Sequence, residues 1–124
     1  EPAAAALAAE RRGPADLAAM EAGLARMRAE PSDSAGFAEG DLALHVAVAV
    51  ASGNPFMRSI GGVIEVALRA SFQLSAPVAA TERETTLAAH AAILAAIAAR
   101  DPRGAAAAIT DVIHNGLRRH GAAA

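Results

Sequence analysis

Apolar residues recur along this chain at three- and four-residue intervals, and short polar or Gly/Pro clusters break the pattern every ten to twenty residues. That spacing predicts helices, each turning one face to a core. The first, about residues 2–11, runs into "RRGP", where Gly13 and Pro14 stop one helix and open the next. The second, about 14–29, places Leu17, Met20, Leu24 and Met27 at helical spacing and closes at "EPSDSAG". The third covers about 34–52 and is apolar almost throughout. "SGNPF" then marks a boundary: Asn54 can cap the free amides of a fourth helix and Pro55 suits its first turn. That helix would run to about 75, with Gly61–Gly62 predicting close packing or a bend. "TERE" has the form of a capping box, Thr81 with Glu84, opening a fifth helix that lasts to about 99. In "RDPRG", Asp101 caps and Pro102 leads a sixth, to about 120. The expected fold is all-α, an antiparallel bundle of about six helices joined by short loops.

Composition strengthens this reading. Ala supplies roughly a third of the 124 residues and aromatics only 2%, a balance that favours helix over sheet. The chain is one domain in length, and it has no cysteine, so disulfides and thiolate metal sites are excluded. The formal net charge is −2, and the only adjacent basic pairs are Arg11–Arg12 and Arg118–Arg119. No basic stripe is dense enough to grip phosphates. No apolar run reaches the ~18–20 residues of a membrane span, and nothing reads as a signal peptide, so a cytoplasmic protein is expected. The chain opens at Glu1 within a helical pattern, without an initiating Met, which predicts a piece of something longer.

Four polar residues depart from the apolar pattern. Asp41 and His45, in "GDLALHVAVAVASGNPF", lie four apart and so project from one helix face ~6 Å apart along the axis. His90 falls between Leu87, Ile93, Leu94 and Ile97, and His114 among Thr110, Ile113 and Leu117. Burying an ionised carboxylate alone costs several kcal/mol, and a buried imidazole needs its nitrogens bonded. A shared divalent cation would meet all four requirements, since three neutral imidazoles and a carboxylate suit Zn²⁺, Ni²⁺, Fe²⁺ or Mn²⁺. Plainer readings stand beside it: D-x-x-x-H is also the pattern of an i,i+4 ion pair, and a single His on an apolar face is commonly a hydrogen-bonded core residue. Spacing alone does not bring three helices together.

The same residues carry a family likeness. "DLALHVAVAVASGN" followed by "HAAILAAIAARDPRGAAAAITDVIHNGL" resembles the FCD effector domain, the C-terminal half of FadR-type regulators in the GntR family. "EPAAAALAAERRGPADLAAME" is similar to that domain's opening, so the likeness spans essentially the whole chain. Two positions depart from the pattern, Leu44 before the first His and Asn115 after the last. The resemblance implies a bundle of six or seven helices that senses small organic acids. It implies a divalent metal, zinc first with nickel, iron or manganese also suited, held by Asp41, His45, His90 and His114 and anchoring the effector's carboxylate. It further implies a homodimer, and DNA contact only through an N-terminal winged-helix reader absent from this chain, whose residues 1–124 are all effector domain.

Effector contacts are expected from Thr86 and Thr110, each four residues before a proposed ligand His, and from Arg58 and Arg69 for a second carboxylate. The alternatives are back-bonding of the threonines to helix carbonyls and, for the arginines, a solvated polar stripe with Gly62, Glu65 and Gln73. Two other functions fit the same residues. A metal-dependent hydrolase would need a free carboxylate as general base, and Asp111, three residues before His114, is the obvious candidate. A structural module would keep Asp41–His45 as an ion pair and bind no ion.

Overall fold

The structure, a computed structural model, describes residues 2–31, 34–56, 65–67, 69–70 and 80–123, with 118–123 as backbone only. Among the described residues five long helices are present: α1 (Pro2–Arg11), α2 (Pro14–Ala29), α3 (Ala35–Ala51), α4 (Ala80–Ala98) and α5 (Pro102–Ala123). Residues 55–56, 65–67 and 69–70 are also helical, in line with a further helix between α3 and α4. Gly61–Gly62 and Arg58 lie outside the described residues. No strand occurs among those described, and the fold is an all-α bundle.

Local chemistry sets most of the boundaries. Ser34 Oγ accepts the Phe37 N–H at 3.1 Å and starts α3; Asp101 Oδ1 accepts the Gly104 N–H at 3.0 Å and starts α5. Asp16 reaches back to the Gly13 N–H at 2.8 Å at the head of α2. Asn54 Oδ1 accepts the Phe56 N–H at 3.0 Å, as a cap would. One expected cap fails. Ala80 is already helical, so Thr81 lies inside α4, and its carbonyl accepts from Thr85 Oγ1 at 2.9 Å.

Side-chain reaches fix the helix directions. Arg11 Nη1 at the end of α1 donates to the Ser52 carbonyl past the end of α3, 2.8 Å away. Arg12 donates to the Ile97 carbonyl at 3.4 Å and the Ala98 carbonyl at 2.6 Å, at the end of α4. The C-terminal ends of α1, α3 and α4 therefore lie together, and α2 and α5 run the other way. Arg100 completes this corner by donating to the Glu10 and Arg12 carbonyls at 3.0 and 3.3 Å. It does so from φ 55°, in the left-handed turn that closes α4, where glycine is the usual residue.

The core is built from small and medium side chains. Ala5, Ala8 and Ala9 of α1 are wholly buried together with Met20, Leu24, Leu44, Val48, Ile93, Ile97, Ala105 and Ile109. Alanine contacts let helices approach closely, and α2 and α3 come closer still where two glycines meet. A Cβ on Gly23 would stand 2.9 Å from the Leu44 amide nitrogen, and one on Gly40 2.9 Å from the Gly23 carbonyl oxygen. Only glycine fits at this crossing.

Candidate metal centre

Helix α3 is buried on several faces at once, with Phe37, Ala38, Gly40, Leu42, Leu44, Ala47 and Val48 all enclosed. His45 is 3% exposed within this run, and the Asp41 side chain one turn earlier keeps 14% exposure. Across from them α4 presents His90, 1% exposed. The three converge: His90 Nε2 lies 2.8 Å and His45 Nε2 3.2 Å from the same oxygen, Asp41 Oδ1. The His45 contact is the longer of the two. The two rings meet edge to face, their centroids 5.6 Å apart.

A second contact of His90 fixes its chemistry. Nδ1 lies 2.8 Å from the Thr86 carbonyl oxygen, which can only accept, so Nδ1 carries the hydrogen. In the neutral ring Nε2 then bears a lone pair, and that lone pair faces the Asp41 carboxylate. Such a contact requires positive charge between the two atoms, from a proton or a metal ion. Burial by itself would push the Asp41 carboxyl up; the hydrogen bonds and charges of His45 and His90 outweigh it and hold the group well below the ordinary carboxylate range. The aspartate is thus ionised, and the balancing positive charge is a proton on the ring or a bound cation.

These three side chains form a group whose ligand atoms all lie within 4.8 Å of one another. With bonds of ~2.1 Å, adjacent ligand atoms stand ~3.4 Å apart around a tetrahedral ion and ~3.0 Å apart around an octahedral one. The observed 2.8 and 3.2 Å lie within about 0.2 Å of the octahedral edge. An imidazole donating Nδ1–H to a carbonyl and offering Nε2 is also the common arrangement of a histidine ligand. The residues present fit a divalent cation.

The other expected residues divide. His114 is exposed and does not join the group. The buried stripe of α5 runs through Ala105, Ala108 and Ile109 to the partly buried Val112, and a residue two positions further points about 200° away. The apolar run around His114 is therefore turned outward, as Leu117, 62% exposed, also shows. Thr110 Oγ1 donates to the Ala106 carbonyl at 2.8 Å, the back-bond named as its alternative. Thr86 makes no such bond: it is buried, and its hydroxyl has no hydrogen-bond partner. Arg69 holds Glu39 through Nε at 2.5 Å and Nη2 at 3.4 Å. This ion pair lines a groove of about 410 Å³ with Arg26, Leu42, Val46 and Val50, on the side of α3 opposite Asp41. Asp111 is exposed on α5.

One residue escaped the sequence reading. Arg83 of α4 lies over the Phe37 ring, 5.4 Å from its centroid, and Nη2 donates to the Met27 and Arg28 carbonyls at the end of α2. Continuing the His90 face backwards by seven residues would have reached it.

No helix among the described residues is long and apolar enough to cross a membrane. A comparison with curated proteins gives no match. A comparison with protein families matches residues 1–115 to the FCD domain, the effector-binding domain of FadR-type transcription regulators, which sense ligands and are not enzymes. The chain belongs to the FCD family.

Proposed function

We propose that this domain senses a small carboxylate effector through a divalent metal ion, zinc first among the candidates, held by Asp41, His45 and His90. The observation that carries the reading is the convergence of two buried imidazole nitrogens, His90 Nε2 at 2.8 Å and His45 Nε2 at 3.2 Å, on one oxygen of Asp41. His114 is proposed as the fourth ligand from its place in the family motif, which requires the second half of α5 to turn inward when the site is loaded. A divalent ion there offers open coordination positions to a carboxylate oxygen. Asp41, the part of the centre that solvent reaches, lies at the entrance, while the buried rings of His45 and His90 keep the rest of the site dry. Thr86 is the proposed effector contact with the strongest support. Thr110, Arg58 and Arg69 are proposed as further contacts, and at Arg69 an effector would compete with Glu39.

Signalling follows if effector binding alters a dimer surface and with it the spacing of two winged-helix DNA readers attached to the N-terminal side. The hydrolase reading has no support from position, because the base it would need, Asp111, is exposed on a different helix from the three converged ligands.

The test is direct. Protein purified without chelator should carry close to one equivalent of divalent metal at pH 7.5 by elemental analysis. His90→Ala should lose both that metal and carboxylate binding by calorimetry while keeping a helical circular-dichroism spectrum. Undiminished carboxylate binding in the variant, or a wild-type protein without metal affinity, would leave a structural helical module as the remaining reading.

A further inference from the structure

We infer that Arg83 and Thr86 form a second anion-binding point on the same face of α4 as His90, and that the effector is a short-chain dicarboxylate held between this point and the metal centre. The inference rests on the metal reading above and adds the second anchor and the ligand class.

Two buried donors without acceptors carry it. Thr86 is 3% exposed and its hydroxyl has no partner. Its neighbours show how helical threonines are ordinarily satisfied: Thr85 and Thr110 each donate to the carbonyl four residues back, at 2.9 and 2.8 Å. Thr86 does not. Arg83 has a guanidinium fixed on two sides, by the Met27 and Arg28 carbonyls at 3.2 and 3.0 Å and by the Phe37 ring, yet its Nη1 is buried with no hydrogen-bond partner. A buried donor left without an acceptor is costly, and such groups in a native structure ask for an explanation.

Placement supplies one. Residues 83, 86 and 90 fall within about 60° of one another around α4, so all three share a face. Thr86 is tied to the centre by its own carbonyl, which accepts from His90 Nδ1. On α3, Phe37 and Asp41 lie one turn apart and meet Arg83 and His90 respectively. Helix α3 packs closely on α2, and α4 on α5 and α2; α3 and α4 meet through the side-chain pairs Phe37–Arg83 and Asp41–His90. The interval between them therefore has a cation site at one level and an immobilised guanidinium with a free N–H at the next, with a hydroxyl donor alongside. A monocarboxylate would answer the first alone. Two acid groups on a short carbon chain answer both, and the Thr86 hydroxyl donates to the second.

Calorimetry on the zinc-loaded full chain would test this, with malonate, succinate, glutarate and adipate compared against propionate and butyrate. The best dicarboxylate should bind at least tenfold more tightly than the monocarboxylates. Arg83→Gln should remove that preference while zinc affinity and butyrate binding stay as in wild type. Thr86→Val should lower dicarboxylate affinity several-fold and at the same time raise the melting temperature of the ligand-free protein, because an apolar isostere replaces an unpartnered hydroxyl. A purely structural Thr86 would give the second change without the first. Equal binding of mono- and dicarboxylates by the wild type overturns the inference, as does a preference that survives both substitutions. If Arg83→Gln fails to fold for want of its α2 contacts, Thr86→Val decides alone. Failure of the wild type to take up zinc would instead overturn the metal reading, and this inference with it.

Discussion

Two regions of this bundle use arginine in opposite ways. At the corner where α1, α3 and α4 end, Arg11, Arg12 and Arg100 direct their donors at helix-terminal carbonyls, answering the acceptors that every helix leaves open at its C-terminus. Along the face of α4 that leads to His90, Arg83 engages only part of its guanidinium, and Thr86 beside it engages nothing through its hydroxyl. The corner closes the fold; the α4 face retains bonding capacity. In a protein with few aromatics and no cysteine, the polar groups that the fold leaves without partners are the natural place to seek a ligand.

Substitution should separate the two regions. The largest effect is expected from Asp41→Asn, which removes the negative charge that both imidazoles share and should reduce zinc affinity at least about 100-fold in a chelator competition assay. Arg12→Ala, at the corner, should leave zinc affinity unchanged and cost about 1 kcal/mol in urea unfolding, since its carbonyl contacts are partly exposed. A loss of zinc affinity in Arg12→Ala would show that the two regions are not independent.

Acid should sharpen the same contrast. The carboxyl of Asp41 is held below its ordinary value of 3.8 in the folded chain, so the unfolded chain binds its proton more tightly. Ionised Asp41 therefore stabilises the fold above that value, and the contribution is lost as the pH falls below it. The stability difference between wild type and Asp41→Asn should be full at pH 7 and shrink below pH ~4. The difference between wild type and Arg12→Ala should be flat over the same range, because arginine stays charged and its partners are carbonyls. Urea titrations at pH 3 and 7 would measure both.

The smallest effect concerns Arg100. Glycine at this position loses the two carbonyl contacts but removes the strain of φ 55°, so Arg100→Gly should lie near wild type. Arg100→Ala loses the contacts and keeps the strain, and should be less stable than the glycine variant by about 1 kcal/mol. Equal stability of the two variants would remove strain from the account.

Much of this architecture was legible in the sequence, because helix punctuation is local. Gly13–Pro14 and Asp101–Pro102 mark real boundaries, since a cap needs only neighbouring residues. Thr81 was misread for the same reason: a capping-box pattern also fits the interior of a helix that starts earlier. The pairing of Asp41 with His45 follows from four-residue spacing, whereas their meeting with His90 depends on how α3 and α4 sit side by side. Within the sequence, only the family likeness connects them. His114 shows the limit of periodicity in an alanine-rich helix: α5 offers two apolar stripes, and nothing local says which one turns inward. The role of Arg83 was invisible because its partners, Phe37 and the last carbonyls of α2, are distant in the chain.

The glycine crossing of α2 and α3 has a mechanical consequence. Where two backbones touch with no side chain between them, neither helix can slide or roll without a steric collision. Asp41 and His45 thus ride on a stiff double plank, and any accommodation to cargo falls to the opposite wall, α4 and the α5 helix that follows it.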